Sequence, residues 1–124
     1  MELRKLSKNI LNSHSKDLNN IINIVFDNYD INKNLNNDFY IIVHNNQFIG
    51  MFNINKNCIQ KFFILPQYQK QNLGSTAVKK IIDMKLSNLH CYVKKDNKIA
   101  LAFWTKNKFI ISHNYGNTIK MIYN

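Results

Sequence analysis

The chain has 124 residues, 45% of them hydrophobic and 12% aromatic, which is one domain's length with enough apolar material for a single core. Its 17 Lys and Arg face 7 Asp and Glu, a net charge of +10 with only 19% of residues charged, so the positive excess is undiluted and points to an anionic partner. This composition excludes an intrinsically disordered chain, no segment recurs as in a repeat array, and no apolar run approaches the roughly 20 residues that cross a bilayer.

Arg4, Lys5 and Lys8 are not followed by the apolar stretch of a signal peptide, so the expected protein is cytoplasmic, one domain over residues 1–124, with no membrane partner. Cys58 and Cys91 lack CxxC or zinc-ligand spacing and read as buried thiols. His90 and Cys91 are adjacent, but on a strand their side chains point to opposite faces, so no metal site is expected.

Hydrophobic period divides the chain. A short strand is possible at Glu2 to Leu6. Leu18, Ile21, Ile22, Val25, Phe26 and Tyr29 repeat at helical spacing behind Ser15 as N-cap, which predicts an amphipathic first helix. An Asn-rich connection follows. Phe39 to Val43 and Phe48 to Ile54 are β-rich runs joined through His44, Asn45, Asn46 and Gln47, a predicted hairpin. Cys58 to Leu65 is a third β-run, stopped by Pro66. Ala77, Val78, Ile81 and Ile82 then mark the buried face of a helix from about Asn72 to about Leu86.

Leu89 to Val93 reads as a strand, Asp96 or Asn97 as the cap of a helix with Ala100, Phe103 and Trp104 inward, and Phe109 to Ser112 and Thr118 to Tyr123 as two closing strands. This order predicts an α/β domain with a mixed sheet. The segment from Phe62 to Val78 carries the most chemistry: a strand ends at Pro66, a polar loop follows, and Gly74, Ser75 and Thr76 enter a helix. The unpaired amides of a helix start bind phosphates, and Lys70 adds positive charge beside them. The plainer alternative is an ordinary strand-to-helix turn with solvated side chains.

The run Gln69-Lys70-Gln71-Asn72-Leu73-Gly74 after Pro66 and Tyr68 resembles the Q/R-x-x-G-x-G/A pyrophosphate loop of the GCN5-related N-acetyltransferases, the GNAT superfamily. Ile49-Gly50 resembles that family's hairpin end. Asn97-x-x-Ala100-x-x-Phe103-Trp104, followed by Phe109, resembles its N-x-x-A-x-x-L-Y…G-F segment. The resemblance spans about Phe39 to Phe109. It implies a mixed, mostly antiparallel sheet whose central parallel strands splay apart, flanked by helices, with acetyl-coenzyme A in the opening. It also implies that Phe63, Ile64, Gln69, Gln71, Asn72, Leu73, Gly74, Ser75, Thr76 and Asn97 bind the cofactor. A backbone N–H near Phe63 or Ile64 would then polarise the thioester carbonyl.

The implied reaction is direct acyl transfer to an amine in a ternary complex, the acceptor being a small molecule, a protein amine or an amine carried by RNA. Three residues depart from the family pattern. Asn72 replaces the first loop glycine, Lys108 replaces the glycine before Phe109, and Trp104 stands where many members carry a proton-donating tyrosine. An indole orients the sulfur without acting as an acid. No carboxylate lies between Asp38 and Asp83, which leaves His90, Tyr92 and His113 as candidate bases, each equally readable as a structural side chain. The catalytic candidates are thus Trp104, Tyr92 and His90.

Two other functions compete. A catalytically weak acyl-coenzyme A-binding protein is motivated by Trp104 and the missing carboxylate. A basic nucleic-acid-associated module is motivated by the net charge and by aromatics such as Tyr40, Phe48 and Tyr68 among lysines. Lys79, Lys80 and Lys85, and Lys94, Lys95 and Lys98, are either solvated faces or contacts to a polyanion or to the 3′-phosphate of coenzyme A.

Overall fold

Paired asparagine and lysine-asparagine turns start the sheet. In the computed structural model, which describes residues 1–6 and 38–124, Asn45 and Asn46 have φ of 51° and 62°, and Lys56 and Asn57 have φ of 49° and 64°. Two consecutive positive φ values match the twist of a tight hairpin, and Asn tolerates them better than most residues. These turns join β2 (Asp38–His44), β3 (Gln47–Asn55) and β4 (Cys58–Ile64), with β1 (Glu2–Lys5) antiparallel on the outer edge of β2. The helix predicted behind Ser15 lies outside the described residues.

After β4, Pro66–Tyr68 makes one 3₁₀ turn, followed by α1 (Leu73–Ile82), β5 (His90–Lys94), α2 (Lys98–Lys106), β6 (Phe109–Asn114) and β7 (Thr118–Tyr123). The seven strands form one sheet in the order β1-β2-β3-β4-β5-β7-β6, with β4 and β5 parallel and the other neighbours antiparallel. This is the mixed sheet that the element order predicts, mostly antiparallel as the family resemblance implies. The helix expected to reach Leu86 stops at Ile82, because the amides of Met84 and Lys85 bond three residues back, to Ile81 and Ile82, and Lys85 has φ of 57°. Met84 and Leu86 still pack on the core, so the apolar period outlasts the helical backbone.

The register places Phe52, Ile54, Ile59, Cys91, Val93, Ile119 and Met121 on one sheet face, where α1 adds Ala77, Val78 and Ile81 and α2 adds Trp104. Phe39, Ile41 and Met51 are buried on the opposite face. Among the described residues no helix is long and apolar enough to cross a membrane.

One irregularity determines the middle of the sheet. Between the pairs Asn53↔Gln60 and Met51↔Phe63, β4 advances by one more residue than β3, and Lys61 takes up the excess at φ 52°. Such a bulge bends its strand. The parallel ladder to β5 accordingly has only the pairs Cys58↔His90 and Ile59↔Cys91 and ends just before it.

Candidate functional site

Beyond Ile59 and Cys91 the two parallel strands part, and a cleft of about 920 Å³ opens between them. Its floor is aromatic. Phe62 packs on Phe103 at 5.7 Å and edge-on to Trp104 at 5.6 Å, and Trp104 in turn meets Phe109 at 5.0 Å. These contacts leave Trp104 only 7% exposed although it borders the cleft. The α1 start forms one end of the cleft. Asn72 precedes it in the left-handed conformation, φ 60°, the conformation that a glycine supplies at such a corner.

In that conformation the Asn72 side chain does not cap the helix; its Oδ1 accepts from Lys106 Nζ at 3.2 Å. The first-turn amides of α1 thus have neither an intrahelical partner nor a side-chain cap. Gly74 lies close under α2: a Cβ there would sit 3.1 Å from Phe103 Cε1 and 3.6 Å from Ile64 Cγ1. Close helix packing is therefore a second reason for glycine at this position, besides access to its amide.

Of the residues singled out from sequence, Phe63, Ile64, Gln69, Asn72, Leu73, Gly74, Ser75, Asn97, Tyr92 and Trp104 all line this one cleft. Several of their polar atoms already have protein partners. Gln69 Nε2 donates to the Ile64 carbonyl at 2.7 Å and ties the loop to the end of β4. Ser75 Oγ accepts from Asn107 Nδ2 at 3.2 Å, and Asn97 Oδ1 caps α2 by accepting from the Ala100 amide at 3.0 Å.

Gln71, Thr76 and His90 lie outside the walls. Thr76 bonds Asn72 O through both its amide and its hydroxyl, and Gln71 Nε2 donates to Gln67 O. Position on the sheet separates His90 from Tyr92. His90 precedes the parting of the strands, with Nδ1 on the Asn88 carbonyl at 2.7 Å and its ring edge-on to Tyr92 at 5.7 Å.

Lys94, read from sequence as either a solvated residue or a contact to an anion, also lines the cleft, whereas sequence reasoning missed Lys61 and Lys106 as wall residues. Among the described residues Lys61, Lys70, Lys94 and Lys106 line the cleft, and no Asp or Glu does. A weak signal existed for Lys106, one turn beyond Phe103 on α2, but none for Lys61, whose place depends on the bulge. Cys91 also borders the cleft, and burial first, with the neighbouring Cys58 second, pushes its thiol up to about 12. It is protonated at neutral pH and is no nucleophile. Among the described residues no group of His, Cys, Asp or Glu is arranged to hold a metal ion.

A family model described as the acetyltransferase (GNAT) family matches residues 8–109. Many solved structures share the fold, among them the following three. A chimera of the Vibrio cholerae spermidine N-acetyltransferase and hSSAT has a TM-score of 0.75 at 13% identity over 99% of this chain and 96% of that one. The PaiA N-acetyltransferase of Thermoplasma acidophilum, in complex with coenzyme A, has a TM-score of 0.67 at 20% identity, covering 99% and 98%. Naa50 of Arabidopsis thaliana, bound to the bisubstrate analogue CoA-Ac-MVNAL, has a TM-score of 0.71 at 16% identity, covering 98% and 95%. No curated protein sequence matches the chain.

Proposed function

The chain belongs to the acetyltransferase (GNAT) family, and from that premise we propose that it transfers an acetyl group from acetyl-coenzyme A to a primary amine, by direct attack within a ternary complex. The observation that carries this reading is an uncapped helix start, flanked by Lys70 and Lys106, that opens on a lysine-lined cleft between parted parallel strands. These residues fit a ligand that carries a pyrophosphate. The amides of Leu73, Gly74 and Ser75 would hold the phosphates, and the edge of β4 at Phe63 and Ile64, beyond its ladder with β5, would take the pantetheine arm, with Asn97 beside it. Bound acetyl-coenzyme A supplies the acetyl group as a thioester.

The chain's own residues do the remaining work. A backbone N–H of β4 on the side facing the opening polarises the thioester carbonyl. Tyr92, on the cleft wall, carries the proton for the departing sulfur, while Trp104 shapes the floor and orients it without acting as an acid. His90, whose Nδ1 donates to the Asn88 carbonyl, presents Nε2 as a proton acceptor that reaches the amine through water. A polyamine is not the acceptor we propose, since Lys61, Lys70, Lys94 and Lys106 and, among the described residues, no carboxylate face the cleft.

The test is calorimetric titration with acetyl-coenzyme A, followed by a panel of amines. Saturation at 100 times Kd should stabilise the fold by about 2.7 kcal/mol. No binding at millimolar ligand would refute the cofactor assignment. A second reading, a protein that binds acyl-coenzyme A and transfers slowly, is favoured by the burial of Trp104, and tight binding without turnover would establish it.

A further inference from the structure

Among the described residues, no element covers the sheet face opposite the α1 and α2 core across β5, β7 and β6. Along β5 the buried Cys91 and Val93 alternate with Tyr92 and Lys94, and along β7 the buried Ile119 and Met121 alternate with Lys120 and Ile122. The register sets Tyr92 directly beside Lys120, and Lys120 beside His113, so an aromatic, a cation and a second aromatic form one row across three strands. His113 stacks on Tyr115 with centroids 5.7 Å apart and planes 10° from parallel. Tyr92 is 50% exposed and Tyr115 60%.

These three strands contain no Asp or Glu, and their charges are Lys94 and Lys120. Exposed rings separated by cations on an open sheet suit one chemistry in particular. Bases stack on the rings irrespective of sequence while phosphates meet the ammonium groups. An acidic protein would use the lysines but leave the rings without a role. This face also meets the cleft, since Tyr92 and Lys94 belong to both.

We infer that the open face of β5, β7 and β6 binds single-stranded nucleic acid, with bases on Tyr92 and on the His113–Tyr115 pair and phosphates at Lys94 and Lys120. An amine carried by such a strand arrives at the mouth of the cleft along Tyr92. Binding itself is independent of the acetyl-transfer reading.

The experiment is fluorescence anisotropy of the full chain, without coenzyme A, with a labelled single-stranded RNA of about 12 nucleotides. The single strand should bind in a salt-dependent manner and more tightly than a duplex of the same sequence. Tyr92→Ala should weaken it about 5- to 100-fold and Tyr92→Phe far less. Lys120→Gln should weaken it and reduce the salt slope by about 0.7. Lys79→Gln with Lys80→Gln, on the exposed flank of α1, should change affinity less than about threefold.

Melting temperatures of all variants check folding, and Tyr115→Ala replaces Tyr92→Ala if the latter is unstable. Any of four results overturns the inference: no binding, equal binding of duplex, affinity carried by Lys79 and Lys80 rather than the row, or polyglutamate bound as tightly as the RNA. The last of these would mark the face as a site for an acidic protein instead. Failure here leaves acetyl-coenzyme A binding, measured separately, unaffected.

Discussion

Gly50 gives the sharpest test of how β3 and β4 are joined beside the cleft. It pairs with Ile64, and a Cβ built on it would overlap the Phe63 carbonyl oxygen and approach Ile64 Cα to 3.1 Å. Both obstacles are backbone atoms, so no rotamer change relieves them. Restoring an ordinary contact of about 3.5 Å requires the strands to part by on the order of 1 Å. That movement strains the neighbouring bond from the Leu65 amide to the Ile49 carbonyl, now 2.8 Å. Overpacking of this kind costs about 3 kcal/mol and a lost backbone bond about 1 kcal/mol more.

Gly50→Ala should therefore lose about 4 kcal/mol, a large share of a domain's typical ~5–15 kcal/mol, and lower Tm by about 10 to 20 °C. It should also weaken acetyl-coenzyme A, because the displaced residues Phe63 and Ile64 are cleft walls. Thermal denaturation followed by circular dichroism, with and without ligand, reads both effects. A variant melting within about 3 °C of the parent would refute the close approach and the strand geometry built on it.

Trp104→Tyr should lower stability by ~1–3 kcal/mol through lost packing on Phe62, Phe103 and Phe109, while raising turnover about tenfold or more as a phenol reaches the cleft. Destabilisation with unaltered turnover would remove Trp104 from the reaction. Gly74→Ala needs only a small shift of the Phe103 ring. Gly74→Val should cost ~1–3 kcal/mol and weaken acetyl-coenzyme A at least tenfold by calorimetry. Lys108→Gly should raise Tm by about 2 to 5 °C, since Lys108 sits at φ 72°, a left-handed position costly to a residue with a Cβ.

Burial raises both Cys58 and Cys91, the latter to about 12 against an ordinary 9.0. A raised pKa means that the folded state keeps protons which the unfolded chain releases. The Cys91 contribution is therefore full below pH 9.0 and falls between there and about 12, by up to about 1.4 kcal/mol per pH unit, and Cys58 acts in the same direction. Urea midpoints across that range should show the loss, and Cys91→Ala should flatten it.

The strands, both described helices and the polar loop before Gly74 were legible in the sequence because each depends on local period and on local backbone preference. Asn72 illustrates this: its tolerance of positive φ is a property of the residue, and the structure uses it at the corner where the family pattern has glycine. Net charge was equally legible, being a sum over residues. The distribution of that charge was not. Four lysines reach the cleft from β4, the loop, β5 and α2, elements that only the tertiary fold brings together.

The opening itself depends on Lys61, a residue that nothing local marks for a left-handed bulge and that takes up the extra residue of β4 as it crosses β3. Gln69, which the family resemblance implies as a cofactor-binding residue, also tethers the loop, its Nε2 lying 2.7 Å from the Ile64 carbonyl, a contact that no local pattern announces. His90 and Tyr92 are two residues apart on one face, yet only Tyr92 lines the cleft, because the parallel ladder ends between them. Backbone conformation is a short-range property and survives in sequence pattern, whereas the end of strand pairing is decided by contacts between segments about 30 residues apart.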